Sequence, residues 1–232
     1  MWMINTLFPP LCLHCEEDVE NGRRLFCQGC SGFFELIDPS TRCIYCFCEN
    51  DSRKPCPECL RKKRWELKIA SALDYLGAVG TLVKQLKCGR MPYLAETASA
   101  FMLAQLMRLG WPMPDLIVPV PGRYGFQSMN HAHLIAEFLA RRLGVMCKTL
   151  VKRRAGDFSQ ARLSKAQREN LSSDSFCLKE GSILDEKTVL LVDDVVTTGT
   201  TLRRSAEALS EGFPTHIFAL SLARTVKDPK GP

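Results

Sequence analysis

Long apolar runs are missing from this chain. No stretch approaches the ~18 apolar residues that a membrane helix needs, which argues against a spanning protein. Met1 to Leu13 is apolar, but it carries no basic leader and no small-residue cleavage site, and Pro9-Pro10 interrupts it. It reads as part of the fold, not as a signal peptide, and the protein as cytoplasmic. Neither common nucleotide fingerprint is present: there is no Gly-Lys-Ser/Thr phosphate loop and no Gly-x-Gly-x-x-Gly. With 46% hydrophobic and 24% charged residues, the 232-residue chain is neither disordered, collagen-like nor a simple coiled coil. Beyond residue 59 cysteine is scarce, with only Cys88, Cys147 and Cys177.

Before that point cysteine dominates. Nine of the 12 cysteines lie between positions 12 and 59, and eight of them form four Cys-x-x-Cys knuckles: Cys12/Cys15, Cys27/Cys30, Cys43/Cys46 and Cys56/Cys59. Each knuckle offers two sulfurs to one ion, so eight sulfurs satisfy two tetrahedral four-thiolate sites. A segment this short cannot bury enough apolar surface to fold alone, and a bound ion can supply on the order of 10 kcal/mol per site. The expectation is two structural Zn2+ ions. Iron is the alternative, since ligands alone do not choose the metal. A disulfide framework is disfavoured without a secretion signal, and four repeats are too many for a redox pair. The pairing of knuckles stays open: neighbours share an ion, or the sites interleave. Cys48 is a bystander or a substitute for Cys46, and His14 an alternative ligand. A basic run, Arg61-Lys62-Lys63-Arg64, follows. It is a solvated linker or a nucleic-acid contact.

The asymmetry predicts two domains, a cysteine-rich zinc-ribbon domain over 1–66 and a second domain over 67–232. The second alternates strand and helix. Ile69 to Leu76, Asp115 to Val120, Val145 to Val151, Thr188 to Val192 and His216 to Leu222 read as strands. Val79 to Leu86, Leu94 to Leu109, His131 to Leu143 and Thr200 to Ser210 have apolar residues at helical spacing, with Gly110, Gly144 and Gly212 as stops. Alternation of this kind means crossover connections and a mostly parallel sheet. Such sheets bind ligands at the carboxyl ends of their strands.

The stretch Val189-Leu-Leu-Val-Asp193-Asp194-Val-Val-Thr197-Thr198-Gly199-Thr200-Thr201 carries the chemistry. A buried strand delivers two adjacent carboxylates, and a Thr/Gly loop then opens a helix. Loop amides, hydroxyls and the positive helix end suit a phosphate, and Gly199 allows close backbone approach. The candidate catalytic pair, Asp193 and Asp194, can accept hydrogen bonds from neighbouring ribose hydroxyls. A receiver domain also follows an apolar strand with an acid pair. It needs roughly 100 further residues, and only 39 follow Asp193.

This stretch resembles the ribose-phosphate signature of type I phosphoribosyltransferases. The resemblance implies that Asp193 and Asp194 hold the ribose hydroxyls of phosphoribosyl pyrophosphate. It gives Thr197, Thr198, Gly199, Thr200 and Thr201 to the 5-phosphate. Some members carry a third acid where Thr197 stands. Taken with the knuckles, the chain is similar to the ComF/GntX family over nearly its whole length. Leu7-Phe-Pro-Pro-Leu-Cys-Leu-His-Cys15, Leu86-Lys87-Cys-Gly89-Arg90, Val118-Pro-Val-Pro121 and Gln160-Ala-x-Leu163-Ser164 with Arg168, Asn170 and Phe176 carry the likeness. The family usually shows Gly-Phe-Asn-Gln after its Val-Pro-Val-Pro. Here Asn130 fills the Asn position and His131 replaces Gln. The resemblance puts a pyrophosphate loop at Pro121 and Gly122, and adds Lys87 to the substrate-binding residues. It implies an α/β, type I phosphoribosyltransferase-like sheet with helices on both faces, Mg2+ accompanying the substrate, and displacement of pyrophosphate at ribose C1.

Charge supplies a reading of another class. Between Arg141 and Arg168 stand nine Lys or Arg and one acid, Asp157. This stretch is a solvated loop, a loop closing over pyrophosphate, or a track for a nucleic-acid backbone. With Phe158 its only aromatic, base stacking has little support there. The alternative function is a catalytically silent single-stranded DNA-binding or scaffold module using the zinc domain and this basic loop; the resemblance to ComF proteins implies that it serves DNA uptake, with a protein partner in uptake or recombination. His131, His133 and His216 are expected to pack or to sit at the surface.

Overall fold

The computed structural model describes residues 10–19, 24–50, 54–62, 67–88, 91–122, 130–153 and 176–226. In chain order its elements are helices α1 (Gln28–Ser31) and α2 (Pro57–Lys62), strand β1 (Lys68–Asp74), α3 (Gly77–Lys87), α4 (Leu94–Arg108), β2 (Leu116–Pro119), α5 (His131–Leu143), β3 (Met146–Cys147), β4 (Val151–Arg153), β5 (Phe176–Leu178), β6 (Thr188–Val196), α6 (Thr200–Ser210) and β7 (His216–Arg224). Five strands pair in the order β1-β7-β6-β2-β3, all parallel. β4 and β5 form a separate antiparallel pair.

Alternation along the strands decides where each helix packs. In β6, Leu190 and Val192 join one apolar cluster, and Val189 and Leu191 join the other. The first cluster takes the buried stripes of α3 (Leu82, Leu86), α4 (Ala98, Met102) and α5 (Ile135, Leu139). The second takes Leu202, Ala206 and Leu209 of α6. Helices therefore cover both faces, as the family resemblance implies. Complete burial of a side chain such as Leu209 contributes about 2 kcal/mol. One polar pair interrupts this apolar packing. Ser71 and Ser221 face each other across β1 and β7, hydroxyl to hydroxyl at 2.7 Å, both fully buried.

α5 and α6 have the predicted bounds, and Gly144, at φ 69°, ends α5 in a left-handed turn. Asn130 caps α5 by accepting from the His133 amide at 3.3 Å, while its own amide donates to Val120 O at 3.1 Å. Other boundaries differ. The expected strand over 145–151 is two short pieces, β3 and β4, in different sheets. β6 runs four residues past Val192, so Asp193 and Asp194 lie inside the strand, not after it. β7 continues alongside β6 at this level, and Asp193 pairs with Ser221.

The cysteine-rich segment is built onto the sheet. Cys12, Val19, Phe26, Cys30, Ile37 and Phe47 share the first apolar cluster with Ala70, Leu190 and Leu220. Ile37 N donates to Ala72 O at 2.9 Å, Ile69 N donates to Tyr45 O at 2.7 Å, and Gln105 Nε2 donates to Ile37 O at 2.9 Å. The basic stretch 154–168, Asn170, residues Gly89 and Arg90, the segment Gly125 to Met129, Lys63 and Arg64 lie outside the described residues.

Candidate functional site

The knuckles resolve into two tetrads of neighbours: Cys12, Cys15, Cys27 and Cys30, and then Cys43, Cys46, Cys56 and Cys59. They do not interleave. Within each tetrad all four sulfurs lie within 4.8 Å of one another. A tetrahedral thiolate site with bonds of about 2.3 Å has sulfur edges of about 3.8 Å. The sulfurs of Cys15 and Cys27 stand 3.6 Å apart, those of Cys43 and Cys59 3.7 Å, and those of Cys46 and Cys56 3.6 Å. Burial pushes the Cys59 thiol up to about 12. Four thiols packed together favour a bound cation that draws off their protons. Each donor set therefore fits one structural metal ion. Cys48 belongs to neither tetrad, and its sulfur accepts a hydrogen bond from Arg224 Nη2 at 2.9 Å. His14 stands outside both tetrads as well, and its Nδ1 lies 2.9 Å from Thr81 Oγ1.

At the carboxyl end of the sheet, a cavity of about 520 Å³ opens between β6, α5 and the end of α3. Asp193, Asp194, Thr197 and Thr201 line it from one side, with Lys87, Pro121 and Gly122 from the other. Thr198, Gly199 and Thr200 shape the loop without lining the cavity. Thr198 Oγ1 and Thr200 Oγ1 are 2.9 Å apart, and Gly199 sits at φ 73° as the cap of α6. A side chain at Gly199 would put its Cβ 2.9 Å from Ile69 Cδ1, so backbone there approaches the core as only glycine allows.

The two acids are not equivalent. Asp194 N donates to Asp193 Oδ1 at 2.8 Å, and Lys87 Nζ stands 3.1 Å from Asp194 Oδ2. Burial, and then the charge of Asp194, raise the Asp193 carboxyl to about 7. A proton near neutrality thus sits beside an ion-paired neighbour, and an incoming polyol can exchange hydrogen bonds with both.

A phosphoribosyl transferase domain matches residues 96–229. DNA utilization protein YhgH of Salmonella typhi is 30% identical over 181 residues, covering 74% of this chain and 78% of that protein. Competence protein F of Haemophilus influenzae is 27% identical over 230 residues, covering 92% of this chain and 96% of that protein. The chain belongs to the ComF family of phosphoribosyltransferase-domain proteins. Its fold is the type I phosphoribosyltransferase sheet. A glutamine phosphoribosylpyrophosphate amidotransferase from B. subtilis superposes with a TM-score of 0.39 at 23% identity, covering 55% of this chain and 26% of that one.

Three polar side chains of this ComF-family cavity escaped sequence reasoning as site residues. Asn130 lines it while capping α5, and Arg153 lines it with Nε donating to Gly122 O at 3.2 Å. His131, expected to pack or sit at the surface, lines it too. Its Nε2 is buried with no hydrogen-bond partner among the described residues, and burial lowers its pKa. Asn130 and His131 did carry a signal, their place in the family's Asn-Gln element. Arg153 carried only its membership of a basic stretch.

Proposed function

We propose that this protein binds phosphoribosyl pyrophosphate at the carboxyl end of β6 and transfers its phosphoribosyl group. The observation that carries the reading is the gathering of Asp193, Asp194, Thr197, Thr201, Lys87, Pro121 and Gly122 around one cavity of about 520 Å³. In this reading Asp193 and Asp194 accept from the two ribose hydroxyls. The 197–201 loop and the amino end of α6 hold the 5-phosphate. Pro121 and Gly122 face the pyrophosphate, and Lys87 and Arg153 supply cations beside it. Fixed carboxylates next to C1 favour the positive charge that develops there as pyrophosphate departs.

Magnesium is a hard ion that prefers phosphate and carboxylate oxygens. Among the described residues the only groups of three or more clustered ligands are the two cysteine tetrads. Magnesium is thus read as arriving with the pyrophosphate, and zinc as the ion of the tetrads. The names of the relatives, DNA utilization protein and competence protein, support a role in the handling of DNA.

The test is calorimetry with phosphoribosyl pyrophosphate and magnesium on the full chain. Saturable heat that weakens in Asp194→Asn supports the reading. Absence of binding overturns it.

A further inference from the structure

Tyr45 stands inside the third knuckle, between Cys43 and Cys46, and its amide donates to Cys43 Sγ at 3.5 Å. Tyr45 O accepts from Ile69 N at 2.7 Å. β1 is an edge strand of the sheet, so this amide turns outward, and the knuckle supplies its partner. From the same residue a second contact runs inward. Ile69 is 1% exposed, and its Cδ1 lies 2.9 Å from where a Cβ on Gly199 would stand. One buried residue therefore meets the third knuckle with its backbone and the floor of the 197–201 loop with its side chain.

A second route joins the same two places. Cys43 N donates to Cys48 O at 2.9 Å, and Cys48 Sγ accepts from Arg224 Nη2 at 2.9 Å. The next residue, Thr225, donates its amide to Val196 O at 3.0 Å, one residue before the loop. Val196 Cγ2 lies 3.7 Å from the same point above Gly199. The first tetrad is placed differently. Cys12 and Cys30 pack in the cluster under α3, α4 and α5, whereas Ile69 and Val196 belong to the cluster on the other face.

We propose that Ile69 is a positioning residue that couples the second cysteine tetrad to the phosphate loop, so that a metal ion in this tetrad and a 5-phosphate in the loop each tighten the binding of the other. The inference rests on the ribose-phosphate reading of the cavity beside β6. Rigidity argues for it. Gly199 is held at φ 73°, and the loop amides face a phosphate together only while the floor beneath that turn stays in place. Four thiolates closed on an ion fix the third knuckle, and with it the direction of Tyr45 O. Without the ion the knuckle turn can shift, and Ile69 passes the shift on, because a close-packed interior transmits displacement. Coupling between two sites is reciprocal and is commonly roughly 5- to 150-fold.

The test is equilibrium competition for metal on the full zinc-loaded chain. A chromogenic zinc chelator is titrated with and without saturating ribose 5-phosphate, a probe that reaches the loop and the acid pair and needs no added magnesium. With the sugar present, one ion should be held about tenfold more tightly and the other within about twofold of its value without sugar. Withdrawing the responsive ion should raise the Kd for ribose 5-phosphate by the same factor of about ten. In Cys59→Ser the responsive ion should be the one that is missing. Ile69→Val removes Cδ1 but keeps a strand-forming side chain. It should retain both ions and reduce the coupling to about threefold or less. The proposal is overturned if the sugar binds yet neither ion responds, if both ions respond alike, or if Ile69→Val keeps the parent's full coupling. A bound sugar with unresponsive ions leaves the ribose-phosphate reading standing. Failure of the sugar to bind overturns that reading, and this proposal with it.

Discussion

Lys87 Nζ lies 3.1 Å from Asp194 Oδ2, tying the last turn of α3 to the carboxyl end of β6 across the candidate site. The lysine is about half exposed, so the pair itself adds little stability. Its significance is positional, since it sets the last turn of α3 against the acid pair. Asp194→Asn should weaken phosphoribosyl pyrophosphate binding by about 1–3 kcal/mol, roughly fivefold to 150-fold, the range for charge-assisted hydrogen bonds. Calorimetry gives the comparison, and equal affinity would remove Asp194 from the site.

Asp193 makes stability depend on pH. Its carboxyl titrates at about 7 when folded, against an ordinary value of 3.8. Between those values the folded chain keeps a proton that the unfolded chain has released. The stabilisation is therefore full below the unfolded value and is lost as pH rises through the folded one. Tm should fall between pH 5 and about 7.5, and Asp193→Asn should flatten that slope. A variant with the parent's slope contradicts the assignment.

Gly199 should not tolerate a side chain. Its φ of 73° and the 2.9 Å that would separate an alanine Cβ from Ile69 Cδ1 both oppose Gly199→Ala. The left-handed conformation alone costs roughly 1–2 kcal/mol. Chemical denaturation should register at least that loss, and a neutral result would mean that the loop relaxes freely.

The tetrads predict about two ions per chain by elemental analysis. Cys59, fully buried, is one of the four sulfurs of the second tetrad. Cys59→Ser should lower the content to about one ion and lower Tm. Retention of two ions in the variant would break the tetrad assignment.

Arg42 and Asp74 hold the second tetrad's segment against β1, with 13% and 28% of their side chains exposed. Arg42→Met strands a partly buried carboxylate and should cost about 1–3 kcal/mol. Pairing it with Asp74→Asn should recover part of that loss in a double-mutant cycle. Full additivity would mean that the contact carries no coupling.

What was legible in the sequence was what short-range chemistry dictates. Apolar periodicity marked α5 and α6, with Gly144 ending one and the Thr/Gly loop opening the other, while the Asn130 cap emerged only in the structure. The run 189–192 announced β6. Its extension through Asp193 and Asp194 was hidden, because acids read as a strand end, whereas pairing with β7 continues to Val196. Residues 145–151 read as one strand because periodicity cannot say which sheet a segment joins. The cysteine spacing gave the number of metal sites but not the pairing. Contacts between residues far apart in sequence, such as Cys48 with Arg224, leave no local trace at all.

The sharing of one apolar cluster by Cys12, Cys30, Leu190 and Leu220 has a consequence for biosynthesis. The ribosome releases the cysteine segment first, and Arg224 follows Cys59 by 165 positions. At ~5–20 residues per second, the sheet that must cover Val19, Phe26 and Ile37 is finished roughly 10–30 s later. During that interval the nascent chain has its thiols but not its cover. Ion loading and shielding by chaperones are then in kinetic competition with aggregation, and starvation for metal during translation should cut the yield of soluble protein more than chelation after folding.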